Sequence, residues 1–195
     1  MAQDLHHSMS TMKRILSAAI FLAFAGSGFA ATPSRHDVLL AISVLEKSVT
    51  GPAATEAAKT VVVYAQDSDD VLVDIGPEQL PWTNEKWGLD QEKELAFQSV
   101  LLASFVAGNI RSQIKNSRTE DDTYSGWIFA INTYKRLRAD GSFRSPSIEA
   151  LLKMEADGTL LQHAREVRSK EDNEDPSSAP PVPVALGAAS KRSPA

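Results

Sequence analysis

The densest group of side chains that could bind or react is acidic. Asp67, Asp69, Asp70, Asp74 and Glu78 crowd one short stretch. An EF-hand calcium loop needs oxygen ligands at positions one, three, five and twelve, with glycine at six for the sharp turn. Counted from Asp67, positions one, three and twelve are Asp67, Asp69 and Glu78. Position five is Val71, position six is Leu72 and position eleven is Pro77, so the EF-hand fails on mechanism. A looser cation or ligand site on this 67–78 loop stays as an alternative.

Other chemistry is thinner. Past His6 and His7 near the start, the histidines are His36 and His163, far apart in the chain. Zinc wants three or four ligands converging on one point, so these two read as solvated side chains. Glu94, Glu120, Asp121 and Glu149 supply carboxylates for an acid/base pair of the kind that cleaves glycans. Nothing singles one of them out, and their first-turn positions are equally well explained by helix N-termini, which favour acids. The absence of cysteine excludes disulfides, thiolate metal sites and thiol nucleophiles. No nucleophile elbow, zinc-protease helix, phosphate loop or dinucleotide fingerprint occurs. No catalytic residue, metal ligand or cofactor is therefore assigned.

Aromatic side chains are the remaining candidates. Trp82 and Trp87 fall in a Pro-containing irregular stretch, where a ring can sit on a functional rim. Tyr124 and Trp127 lie at helical spacing with Tyr134. Trp82, Trp87, Tyr124 and Trp127 are taken as a tentative binding surface, against the ordinary use of such rings as core. Trp127 and Tyr134 also share the Trp-to-Tyr spacing of a tetratricopeptide helix. Ala130 and Ile131 occupy the intervening Leu and Gly positions, and no second copy follows.

Charge is distributed unevenly. Residues 67–94 hold nine acids and two bases; residues 111–144 hold seven bases and four acids. Two oppositely charged elements packing together would account for this without a partner, and two faces meeting a partner is the alternative.

The elements that must position these groups read as helices. Ser34 with Asp37 makes a partial capping box, and Val38, Ala41, Ile42, Leu45 and Val49 recur at helical spacing up to Gly51. Pro52 suits the first position of a second, alanine-rich helix, with Val61–Tyr64 as a competing strand signal. Val71–Ile75 is expected as a short helix capped by Ser68, with a short strand as the other reading. The strongest helix spans about Asp90 to Lys115. Leu95, Leu102, Val106, Ile110 and Ile114 form one stripe, and Phe97, Leu101 and Phe105 a second. So wide an apolar arc predicts a central helix, and Gly108 predicts close approach by a neighbour. Thr119 is expected to cap the next helix, with Glu120, Asp121 and Asp122 in its first turn and Gly141 at its end. Ser145-Pro146 starts another, and Gly158 separates it from a last helix begun at Thr159. The fold class is all-α: a helical bundle or stacked helical hairpins of five to seven helices, with a disordered C-terminal tail.

The ends of the chain carry an address and a spacer. Lys13 and Arg14 precede an apolar run, Ile15–Ala25, and small residues follow, with Gly28 and Ala30 at cleavage spacing. This is the pattern of a secretory signal peptide, residues 1–30, cleaved after Ala30. The run is too short to cross a membrane, which takes ~20 residues. Met12 begins a more conventional signal, so residues 1–11 could be an upstream start. The helical domain is placed at residues 34–168. Residues 169–195 begin with charges and continue into Pro- and Ala-rich sequence, expected to be disordered.

Of 195 residues, 20 are Lys or Arg and 25 Asp or Glu, a net charge of −5. That balance argues against general nucleic-acid binding. The expected protein is exported, periplasmic or extracellular, with no membrane span after cleavage. Its expected role is a non-catalytic protein–protein interaction module of the cell envelope. The alternatives are a ligand or cation binder using the 67–78 loop and an envelope glycan hydrolase with a carboxylate pair.

Overall fold

A computed structural model describes residues 32–139, 141 and 143–174. The expected signal peptide and residues 175–195 of the expected tail lie outside the described residues; residues 169–174, expected to be disordered, are helical. Among those described there are six α-helices and no strand: α1 (Arg35–Lys47), α2 (Pro52–Asp67), α3 (Gln91–Asn116), α4 (Thr123–Leu137), α5 (Pro146–Ala156) and α6 (Leu160–Glu174). The chain is all-α, built as stacked hairpins. α1 packs on α2, both pack on α3, α3 packs most extensively on α4, and α4 meets α5 and α6. α6 runs on to Glu174, six residues beyond Arg168, through the start of the charged run. No helix among the described residues is long and apolar enough to cross a membrane.

Local signals set most helix ends. Ser34 and Asp37 exchange both bonds of a capping box ahead of α1. Pro52 opens α2, and the Val61–Tyr64 run stays helical inside it. Ser145 caps α5 by accepting from the Ile148 amide, with Pro146 at the first position. Gly158, at a φ of 73°, supplies the left-handed residue between α5 and α6.

α3 is the central element. Every residue from Leu101 to Ile110 is buried, whichever way it points. Leu95, placed on the same stripe by its spacing, is instead 55% exposed. Its turn lies ahead of the fully enclosed stretch. The chain covering this part of α3 bonds to Glu94 and Gln98, through the Trp87 amide and the Glu85 carbonyl. Close approach to α4 is reciprocal. A Cβ on Gly108 would lie 2.3 Å from the Ser125 carbonyl oxygen, and one on Gly126 2.6 Å from the Phe105 ring.

The hairpins are tied by side chains as well as packing. Thr133 donates to Ser104 in the buried α3–α4 interface. Arg136 of α4 donates to the carbonyls of Leu45 and Glu46, at the end of α1 where no helical partner remains.

The long connection between α2 and α3 departs from expectation. Val71–Ile75 is neither helix nor strand; it is an extended strap, followed by a turn and a short 3-10 segment, Pro81–Asn84. Three of its five residues are β-branched, and the Leu72 and Asp74 amides find partners on Gln113 and Asp121 instead of within a helical turn.

Candidate functional site

The strap is held by one helix side chain. Gln113, 3% exposed on α3, accepts from the Leu72 amide at 3.0 Å and donates to the Leu72 carbonyl at 2.5 Å. A primary amide thus makes the paired bonds that a neighbouring strand would make. Gln113 also donates to Asn109 Oδ1, one turn back on α3.

Asn109 is fully buried and links the strap to the α3–α4 loop. Its oxygen also accepts from the Asp122 amide at 3.0 Å, and its nitrogen donates to Asp121 Oδ1. Asp121 is 6% exposed and accepts four bonds. Oδ1 takes the Asn109 amide and the Asp74 N–H, and Oδ2 takes the Thr123 N–H and hydroxyl. Burial pushes its carboxyl above the usual aspartate range, against the pull of the Thr123, Asp74 and Asn109 donors. Asp122 caps α4 by accepting from the Ser125 amide and hydroxyl, and also accepts from Ser112.

The start of α4 therefore differs from expectation. Asp122, not Thr119, is the cap, and Glu120 and Asp121 precede the helix. Thr119 spends its hydroxyl on the Asp70 carbonyl instead. α3 ends at Ser117, in the left-handed conformation at φ 50°, with the Arg118 amide reaching back to the Gln113 carbonyl.

Beside this network is a notch of about 210 Å³ between the end of α3, the loop, the start of α4 and α6. Its walls include Gln113, Asp121, Tyr124, Leu161 and Ala164, and three arginines line it: Arg118, Arg165 and Arg168. Arg168 donates to the Asp121 carbonyl at 3.4 Å and pairs with Glu120 at 3.6 Å. The side chains of Arg118 and Arg165 have no hydrogen-bond or ion-pair partner among the described residues.

The four aromatic residues taken as a surface do not form one. Trp82 and Trp127 are fully buried and Trp87 is 7% exposed. Trp127 donates to the Gln79 carbonyl at 2.7 Å and stacks on His163, with ring centroids 5.2 Å apart. Trp87 donates to Glu85 and leans on Phe143, which also meets Phe97 and Tyr134. Trp82 Nε1 is buried with no partner among the described residues. These rings are core because the connection that carries two of them is itself packed down. Tyr124 alone is half-buried, on the wall of the notch.

The acidic loop is engaged within the fold. Asp70 pairs with Arg35 and accepts from the Tyr64 hydroxyl, Glu78 pairs with Lys170, and the Asp74 amide is bonded to Asp121. Among the described residues no group of three or more His, Asp or Glu side chains is placed to hold a metal ion. Among the described residues, the oppositely charged segments are not joined to each other by ion pairs. Arg111, Lys135 and Arg138 pair with Glu46, Glu155 and Glu149, while Asp70, Glu78 and Glu94 pair with Arg35, Lys170 and Lys86.

A second polar cluster serves α5. Glu85 accepts from the Ser145 hydroxyl, the Ser147 amide and Trp87 Nε1. Burial opposes its ionisation, but the bonds from Ser145, Ser147 and Trp87 outweigh it and hold the carboxyl below its usual range. Nearby, Glu149 is held by Arg138 and the Tyr134 hydroxyl.

Asn109, Gln113, Arg118 and Arg165 escape the sequence reading. A signal exists for the first two. Asn109 interrupts an otherwise apolar stretch, and Gln113 follows four residues later on the same face, the spacing of side chains that touch. The two arginines carry no such mark.

No protein-family model matches the sequence, and neither the characterised proteins nor the solved structures include one significantly similar to it.

Proposed function

We propose that this chain is a non-catalytic interaction module of the cell envelope or extracellular space, which receives part of a partner protein at the notch beside α6. One observation carries the reading. The notch has both polar and apolar walls, the acids that line it are engaged internally, and Arg118 and Arg165 are left uncommitted on its rim. Arginine beside exposed apolar groups is the composition of binding surfaces, and here Leu161, on the notch wall, is 42% exposed.

A hydrolase is less well supported. A carboxylate has about four lone-pair sites, and those of Asp121 are turned to four protein donors, so the group faces the fold and not a substrate. Glu85 is locked in its ionised form by three donors. A cation held by Asp70 or Glu78 would have to displace Arg35 or Lys170. Export rests on the sequence at Lys13–Ala30.

Site-specific photocrosslinking in the native cells tests the reading. A photoreactive side chain at Leu161 or Arg165 should give an adduct of one discrete mass, and the same probe at exposed Glu56 should not. The intact mass of the recovered protein reads cleavage after Ala30 in the same samples. Equal labelling at all three positions, or none, would overturn the interaction reading.

A further inference from the structure

We infer that the notch is built to take a carboxylate of the partner polypeptide, seated between Arg118 and Arg165 with its apolar stem against Leu161, Ala164 and Tyr124. This deepens the interaction reading and rests on it.

The argument starts from what the local charges already do. Glu120 faces Arg168. Asp121 is saturated by Asn109, Asp74 and Thr123, and Asp122 takes up Ser112 and Ser125. The donors to Asp121 and Asp122 are neutral and cancel no charge, but they fill the acceptor sites, so the charged side chains on the notch whose hydrogen-bonding groups stay unmatched among the described residues are Arg118 and Arg165. Guanidinium is a rigid fork of N–H donors matched to carboxylate, and it is weakly hydrated, so it suits an interface better than lysine.

Size narrows the ligand. Small-molecule sites usually run from about 300 Å³ upward. About 210 Å³ is room for one side chain or one chain end. The wall supplies both halves of such a group. Ala164 is buried, Tyr124 half-buried and Leu161 exposed, which gives an apolar side for a methylene stem beside the two cations. A strongly hydrated anion with no stem would leave that side unused.

The test uses the whole protein and three acetylated probe peptides. The first is Ala-Leu-Glu-Leu-Ala amide, the second its Gln twin, and the third the Gln sequence with a free terminal carboxylate. Binding is followed by NMR at the Arg118 and Arg165 Nε–H signals and the Leu161 methyls, with inorganic phosphate as the stemless anion. Either carboxylate peptide should shift these signals saturably, about tenfold more tightly than the Gln amide, the usual effect of a charge-assisted hydrogen bond. Whichever one binds tells a side chain from a chain end. Arg118→Ala and Arg165→Ala should each weaken that binding by a similar factor, and Lys153→Ala should not. Equal binding of the Gln amide would make the notch merely apolar. Phosphate binding more tightly than both carboxylates would make it a simple anion site. No shift with any probe would remove the carboxylate. Each of these overturns the inference. An in-cell adduct at Leu161 without peptide binding would sink the carboxylate alone and leave the interaction reading standing.

Discussion

Replacing Gly108 with alanine puts the α3–α4 interface to a direct test. The added Cβ would sit 2.3 Å from the Ser125 carbonyl oxygen and 2.8 Å from Phe129 Cβ. Carbon contacts are favourable near 3.5–4.0 Å, so the two helices must part by about 1 Å. The nearest obstacle is backbone, which cannot rotate away as a side chain can. Alanine gains about 1 kcal/mol over glycine in a helix interior. Overpacking costs about 1–3 kcal/mol, and a gap of this size forfeits a sizeable fraction of the contacts around it. The clash wins, and Gly108→Ala should destabilise by about 1–2 kcal/mol net. For a domain of this size that lowers Tm by roughly 4–8 °C. Thermal and urea unfolding, read by far-UV circular dichroism, measure it. Gly126→Ala should have the same sign but a smaller effect, because its nearest obstacle is the Phe105 ring. A Gly108→Ala variant as stable as the parent, or more so, would refute the close-packed interface.

Gln113→Leu should free the strap: loss of about 1–2 kcal/mol, and exchange of the Leu72 amide faster by tenfold or more while amides in the middle of α3 hold. Glu85→Gln should destabilise at neutral pH. The folded-state pKa of Glu85 is lowered, so its stabilisation is present above the ordinary glutamate value, about 4.3, and is lost as pH falls through the folded value. Stability measured against pH should therefore show the gap between parent and variant closing in acid. For Asp121 the sign reverses. Its raised carboxyl favours folding when protonated, so the carbon-13 carboxyl titration should have its midpoint above that of ordinary aspartates. Ser34→Ala removes the bond that the Ser34 hydroxyl accepts from the Asp37 amide, keeps the bond from the backbone N–H of residue 34 to Asp37, and should cost about 1 kcal/mol in a urea melt.

Much of this fold is legible in the sequence wherever the decision is local. Ser34, Pro52, Ser145-Pro146 and Gly158 mark helix ends that involve only their own neighbours, and they stand where the residues imply. Gly108 is legible because glycine inside an apolar helix has few other reasons to be there. Failures occur where two segments compete for the same partner. Thr119 and Asp122 are both competent caps. Which one serves depends on where the strap lies, since Thr119 bonds to the Asp70 carbonyl. The tryptophans are misplaced for a similar reason. A Pro-containing connection reads as surface until its packing under α5 is known. The arginines of the notch are illegible in principle, because a free guanidinium and a paired one are the same letter.

The strap also sets an order of events. The groups that receive Leu72 and Asp74 come from residues 41 and 47 positions later in the chain. During synthesis from the N-terminus, α1 and α2 can pair as soon as they emerge, but the strap has nothing to bind. It must wait, extended and unpartnered, until the end of α3 and the following loop have appeared. Its seating therefore marks the moment when the early hairpin and the central helices become one body. A chain stopped short of Gln113 would carry the α1–α2 hairpin and most of α3 without either of the side chains, Gln113 and Asp121, that fasten the segment between them.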